Sequence, residues 1–413
     1  MDILFIGGVF QKEKQNEIFQ KSRGIIQYAA DSVQWKLING LDSCNGRPIK
    51  LLNAPFVGSY PRYYKDIFIR PCEWNHVFGA EDKSVGFLNI FGIKHIWKGI
   101  SLARHAMRWA RIPSKQIKVI IIYSMHLPFI FAAAMAKRVN SNIHICLIVP
   151  DLPKFMNLQK KKSVIYIVLK ILDEKLINYY IKYIDSFVFL TRHMAYALNI
   201  GNKPWIVMEG IVDNNDIGPK EEIEINDIGI DIILYTGTLN KVYGIVQLIR
   251  AFKIIKNAHC QLWICGEGEA KDEIEIMCEQ DHRIRYFGQL KREDVLRLQR
   301  KATLLVNPRP SNCEFTKYSF PSKIMEYMAS GTPLLTTKLP GIPEEYYNYV
   351  YLFEDESVEG MAKTLERILK LPKEELRSKG AAAKEFVIKK KNNIIQANRI
   401  INLIKKIDMH KNE

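Results

Sequence analysis

Three polar residues within little more than one helical turn, Ser322, Lys323 and Glu326, are the group in this chain best suited to chemistry on a charged ligand. They lie in residues 303–346, TLLVNPRPSNCEFTKYSFPSKIMEYMASGTPLLTTKLPGIPEEY. TLLVN (303–307) is a short apolar run that suits a buried strand. A loop with prolines and Ser-Asn follows. A helix is predicted from Pro321-Ser322 through KIMEYMAS, stopped by Gly331 with Pro333 just beyond, and PLLTT (333–337) is the next strand. A strand that feeds a loop and then a helix leaves free backbone N–H groups and the positive helix end at the sheet's carboxyl edge. A diphosphate suits that place. Lys323, in the first turn, opposes the helix dipole, and a nearby phosphate makes sense of it. Glu326 is placed to meet a ribose attached to that diphosphate. The plainer reading is an ordinary αβ unit with a surface Glu and Lys.

The totals bound what must position these residues. A chain of 413 residues predicts two domains of about 200 each. With 47% hydrophobic and 25% charged residues it is globular rather than disordered. The seven cysteines include no CxxC pair, which argues against a disulfide framework or a zinc site and for a reducing compartment. MDILFIGG lacks the features of a signal peptide. The longest uncharged stretch, 119–136, is broken by YSMHLP, so no transmembrane span is read there. Net charge is +16 and lopsided: residues 1–200 hold 28 Lys and Arg against 13 Asp and Glu, the remainder 32 against 31. A basic half suggests contact with a polyanion, nucleic acid or anionic lipid. Residues 86–112 mix Trp97 and Trp109 with basic residues. They read as an interfacial amphipathic helix, a surface for single-stranded nucleic acid, or a domain helix with a solvated basic face.

FPSKIMEYMASGTPLLTT resembles the donor-binding motif of retaining glycosyltransferases of family four, in the version found in capsule and exopolysaccharide biosynthesis. The resemblance implies an α/β GT-B fold, two Rossmann-like domains with parallel sheets facing across a cleft. It places the ribose-binding glutamate at Glu326. The family's earlier glutamate, eight positions before, falls on Tyr318, and its following glycine is replaced by Pro321.

The rest of the chain fits this resemblance in order. DILFIGG (2–8) is a strand ending in Gly7-Gly8, a pair that reads either as a tight turn or as an acceptor-side loop; a helix is predicted from about Ser22 to Leu41. KVIIIYSMHLPFIFAAAMAKRV (118–139) puts His126 at a strand's carboxyl end, where the family carries a histidine facing the sugar. VPDLP holds Asp151, either orienting an acceptor or capping the next segment. PWIVMEGIVDN carries Glu209 at the expected exit from the first domain. YTGTLNKVYG opens the second domain with Gly237. Here Tyr243 takes the place of the family's diphosphate-binding lysine, so Lys241 and Arg309 are candidates to supply the missing charge. CGEGE carries Gly268, and Gly288-Gln289-Leu290 falls where the family touches the base. The colinear spacing of Gly237, Gly268, Gly288 and Glu326 is stronger evidence than any one of them.

The expected division is therefore 1–215 for an acceptor domain, 216–385 for a nucleotide-sugar domain and 386–413 for a helix returning to the first. The expected activity is retaining hexosyl transfer from a UDP- or GDP-sugar to a lipid-linked saccharide. His126, Arg309 and Lys323 are the catalytic candidates, and Gly237, Lys241, Gly268, Gly288, Gln289, Leu290, Ser322 and Glu326 the donor-binding ones. Gly7, Gly8, Asp151 and Glu209 fall on the acceptor side. No metal requirement and no nucleic acid are expected, and the basic half predicts peripheral contact with the inner face of the cell membrane. The rivals are a nucleotide-sugar epimerase of GT-B shape and a non-catalytic sugar-nucleotide or nucleic-acid binder.

Overall fold

The computed structural model describes residues 1–24, 26–152, 164–213 and 229–411. The chain divides into two compact units, Met1–Ile211 with Asn393–Glu413, and Val212–Asn392.

Unit 1 runs β1 (Asp2–Gly7), α1 (Gln15–Lys21), α2 (Tyr28–Asn45), β2 (Lys50–Asn53), β3 (Phe68–Ile69), β4 (Cys72–Trp74), β5 (Asp82–Ser84), β6 (Phe87–Leu88), α3 (Ile93–Arg111), β7 (Lys118–Tyr123), α4 (Leu127–Val139), β8 (His144–Val149), α5 (Val164–Tyr180), β9 (Ser186–Phe189), α6 (Arg192–Ala197) and β10 (Trp205–Val207). The main sheet has the order β10-β9-β8-β7-β1-β2-β5-β4, parallel except at β4. The apolar runs at β1, β7 and β8 are buried on both faces, as parallel strands covered by helices must be. Steps from β7 to β8 to β9 go one way along the sheet and the step from β1 to β2 goes the other. Right-handed crossovers therefore put α4 and α5 on one face and α2 on the opposite face. α3 packs on α4.

Unit 2 runs β11 (Asp231–Thr236), α7 (Ile245–Ile254), β12 (Cys260–Cys265), α8 (Lys271–Gln280), β13 (Ile284–Tyr286), α9 (Arg292–Lys301), β14 (Leu304–Asn307), α10 (Ser322–Ser330), β15 (Leu334–Thr336), β16 (Tyr351–Leu352), α11 (Val358–Leu369) and α12 (Lys373–Lys390). Its six-stranded parallel sheet has the order β13-β12-β11-β14-β15-β16. α13 (Asn393–Lys411) packs on α2, and its Ala397, Ile400, Ile401 and Ile404 join the core of unit 1 with Leu37 and Leu41.

Three expectations need correction. The helix expected from about Ser22 to Leu41 instead begins at Tyr28 and runs to Asn45, because Ser22 leaves α1 in extended conformation and forms a bridge with Tyr64. The returning segment starts at Asn393 rather than 386, because α12 continues to Lys390 and the backbone at 391–392 pairs with Val212 instead. Trp109, grouped above with Trp97, is a core residue with the Lys118 ammonium over its ring. Residues 160–162, three consecutive lysines, lie outside the described residues, as does most of the acidic segment 215–230 in which the sequence places the domain boundary.

Candidate functional site

The carboxyl ends of β11, β12, β13 and β14 converge in unit 2, and glycines let their loops touch. Gly266, at φ +142°, could not carry a Cβ, which would lie 1.8 Å from the Gly237 carbonyl oxygen. At Gly244 (φ +80°) a Cβ would fall 2.0 Å from the Pro308 carbonyl oxygen. Gly268 approaches Leu239 in the same way, and the Gly266 N–H donates to the Gly288 carbonyl at 2.9 Å. Gly237, Gly268 and Gly288 are thus brought to one edge. Gln289 is exposed and Leu290 half-buried beside it.

The α10 helix opens at this edge. Pro321 is its N-cap, Ser322 is exposed in its first turn, and Gly331 ends it at φ +83°. Like any helix start, it leaves its first N–H groups without intrahelical acceptors. Its buried side carries Ile324, Met325, Tyr327 and Met328. The Tyr327 hydroxyl accepts from the Thr236 N–H at 2.7 Å and donates to the Thr236 carbonyl at 2.8 Å, which pins α10 to the end of β11.

Glu326 accepts on Oε1 from Gln299 Nε2 at 2.6 Å and from Lys323 Nζ at 2.7 Å; among the described residues nothing donates to Oε2. Burial alone would raise the pKa of this carboxyl. The Lys323 ammonium, its hydrogen bond, the bond from Gln299 and the charge of Arg292 outweigh it and hold the group ionised below the ordinary range. Gln299, on α9, is wholly buried and also donates to Thr236 Oγ1 at 3.2 Å. Lys323, assigned above to a phosphate, is paired with Glu326 in this structure.

The two candidates for the missing cation differ sharply. Lys241 is exposed and its ammonium is 2.6 Å from Glu273 Oε2. Arg309, on the loop after β14, has no carboxylate within ion-pair distance among the described residues. Its guanidinium lies 4.2 Å from the Tyr243 ring centre and 5.7 Å from that of Phe315. Nη1 reaches Ser319 Oγ at 3.5 Å, while Nε is buried without a partner. Tyr243, which stands where the resembled family has lysine, is therefore the surface on which this arginine is laid.

In unit 1, His126 precedes α4, and its ring lies 4.8 Å from Phe129, 5.2 Å from His95 and 5.8 Å from Phe56. Its Nε2 is buried with no partner. Burial, then the charge of Lys98 and then that of His95, keep its pKa well below the usual imidazole range, so the ring is neutral. Packing accounts for Gly7 and Gly8. A Cβ on Gly7 would lie 2.4 Å from Gln34 Oε1, one on Gly8 2.7 Å from the Phe56 ring, and the Gly8 N–H already donates to Gln34 at 2.8 Å. Asp151 is exposed just beyond β8, and the segment it was expected to cap lies outside the described residues. Glu209 is buried beyond β10. Among the described residues, no group of three or more His, Cys, Asp or Glu is arranged to hold a metal ion.

The reading from sequence missed Gln299, Thr236 and Tyr327 in unit 2 and Lys94, His95 and Lys98 in unit 1. A tyrosine inside the apolar face of α10 was the one local signal, since a buried hydroxyl needs a partner.

Residues 220–386 match the family model described as glycosyl transferases group 1. An uncharacterized glycosyltransferase of Methanocaldococcus jannaschii is 28% identical over 148 residues, 35% of this chain and 36% of that protein, so the match spans about a third of the relative. The lipopolysaccharide outer core galactosyltransferase WaaB superimposes with a TM-score of 0.62 at 13% identity, over 98% of this chain and 99% of that one. Anabaena HepE, solved in complex with UDP, gives 0.60 at 11% identity over 98% and 100%. The chain thus has the GT-B fold, and its residues 220–386 match the group 1 glycosyltransferase family.

Proposed function

We propose that this protein is a retaining glycosyltransferase, of hexosyltransferase type, that takes a sugar from a nucleotide diphosphate sugar. The observation that carries the reading is the pairing of an open carboxylate oxygen with a half-buried cation that has no carboxylate partner among the described residues, at one sheet edge. Glu326 Oε2 has no donor among the described residues and suits ribose hydroxyls. Arg309 has no counter-ion among the described residues and suits the diphosphate, whose negative charge grows as the sugar departs. The start of α10, with Ser322, adds backbone donors and the helix dipole. Lys323 holds Glu326 ionised and stays within reach of the same anion. His126, neutral and with a free ring nitrogen, helps hold the acceptor on unit 1. Retention by same-face attack is what the resemblance to family four implies.

The acceptor in this reading is a lipid-linked saccharide of a surface polysaccharide, capsule or exopolysaccharide, met on the cytoplasmic face of the membrane. An exposed stripe on α3 supports the membrane part. Ile93, Ile96, Trp97 and Ile100 are 45–67% exposed over two turns, and Arg104, Arg108 and Arg111 continue the same stripe. Ile167, Val168, Ile171 and Leu172 of α5 are exposed as well, on a helix covering the same sheet face. Apolar side chains with arginines behind them suit peripheral contact with an anionic bilayer. No described helix is long and apolar enough to cross one.

Thermal unfolding against a panel of UDP- and GDP-sugars tests the donor assignment. One donor should stabilise the wild type, and Glu326→Ala should lose that stabilisation while keeping its fold. Equal stabilisation of the variant removes Glu326 from the ribose role.

A further inference from the structure

The surroundings of His126 hold more basic groups than a neutral sugar needs. Lys94, His95 and Lys98 lie on successive turns of α3, and His126 opens the α4 helix against which α3 packs. Lys98 is 2% exposed, with Nζ 2.9 Å from the Pro55 carbonyl oxygen and 4.3 Å from the Phe87 ring centre. Lys94 is half-buried and donates to the Val57 carbonyl at 3.2 Å. His95 reaches solvent, its ring 5.2 Å from that of His126, whose Nε2 has no partner. Among the described residues none of the four has a carboxylate within ion-pair distance.

A protein gains nothing from gathering basic groups in a half-buried place with only carbonyls and rings for company. Burying a charge without a counter-charge is unfavourable, and like charges add to the cost. The strain shows in the groups themselves: burial lowers Lys94 to about 8, and burial followed by the charge of Lys94 drives Lys98 well down. The ammonium groups are nevertheless held by backbone carbonyls of residues 55–57, and Phe56 between them is fixed against Gly8. An anion entering between α3 and the start of α4 resolves both problems. It pairs with the lysines and gives the Nε2 of His126 a partner. Several basic groups with no acid suit an anion of more than one charge, which points to phosphate rather than a single carboxylate.

We infer that Lys94, His95, Lys98 and His126 form a binding site on unit 1 for the phosphate or diphosphate group of the acceptor. Only the assignment of that group to an acceptor rests on the transferase reading; the anion site does not.

Calorimetric titration of the full chain with inorganic phosphate and with pyrophosphate tests it. Wild type, Lys94→Met and Lys98→Met are compared, each also in an Arg309→Met background so that the unpaired cation of unit 2 does not report. Saturable binding is expected in wild type and in Arg309→Met, weakened roughly tenfold or more by either lysine change. Circular dichroism checks the fold; should Lys98→Met not fold, half-exposed Lys94 carries the test. No saturable binding in wild type, or undiminished affinity in Lys94→Met, overturns the site. Titration with a hexose 6-phosphate and with a short-chain isoprenyl diphosphate then separates a soluble acceptor from a lipid carrier, by which one binds tighter than the free anion. Loss of donor stabilisation in the panel above would leave these titrations untouched, so the two readings fail separately.

Discussion

The guanidinium of Arg309 lies over the ring of Tyr243, 4.2 Å from its centre. A flat cation on an aromatic face is held in one plane with its edge N–H groups presented, which a lysine at position 243 would not do.

Arg309→Lys should therefore be far from conservative. It keeps the charge but loses the fork and the stacking. We expect kcat to fall roughly 100-fold or more, and about tenfold for Tyr243→Leu, which keeps the arginine but frees it. Initial rates with the donor that stabilises the wild type measure both. Activity of Arg309→Lys within a few-fold of wild type would detach Arg309 from the diphosphate.

Tyr327 and Gln299 separate stability from ligand support. Tyr327→Phe leaves the buried Thr236 N–H without its acceptor, and unit 2 should lose roughly 1–3 kcal/mol in urea unfolding. Gln299→Leu should cost less, because Gln299 Oε1 is already buried without a partner. It removes one of the two donors on Glu326, so donor affinity should drop roughly tenfold. Unchanged donor affinity in Gln299→Leu would show that Lys323 alone orients the carboxylate.

A pH dependence of stability is built into unit 1. His76 is buried between Asp82 Oδ2, 2.6 Å from Nδ1, and Asp42 Oδ2, 2.9 Å from Nε2. Burial works against its protonation, but the bonds and charges of the two carboxylates prevail and raise its pKa to about 9 from 6.5. The folded chain holds this proton more tightly than the unfolded one. The contribution is therefore complete below about 6.5 and disappears as pH rises through about 9, a loss of roughly 3 kcal/mol. Urea unfolding across that window should show the decline in wild type and not in His76→Gln. Parallel curves for the two would remove His76 as its source.

The α3 stripe makes the membrane proposal measurable. Changing both Ile96 and Trp97 to glutamate should release the protein from anionic vesicles in a sedimentation assay while leaving its melting temperature close to wild type, since both side chains are exposed. Raised salt should weaken the wild-type association, because Arg104, Arg108 and Arg111 are also exposed. Equal sedimentation of the variant would mean that α3 does not meet the bilayer.

What the sequence disclosed was local. The 304–307 strand, the Pro321 start and Gly331 stop of α10 and the colinear glycines each have a signal within a few residues, and all stand where expected. What it hid depends on distant partners. Lys241 looked free, but Glu273, 32 positions on, neutralises it. Gln299 matters because it meets Glu326 from another helix. The basic cluster of unit 1 exists only because α3 and α4 lie side by side. The late start of the helix predicted from Ser22 has the same origin, a bridge from Ser22 to Tyr64 that no local propensity records.

Because α13 completes the core around Leu37 and Leu41 from the far side of a 181-residue excursion, Val212–Asn392, synthesis has an order. On the ribosome the second unit is whole before the first receives its closing piece. Until then the groove on α2 that awaits Ile400, Ile401 and Ile404 is bare, so a chain stalled near residue 392 would present one finished lobe and one adhesive, chaperone-dependent partner.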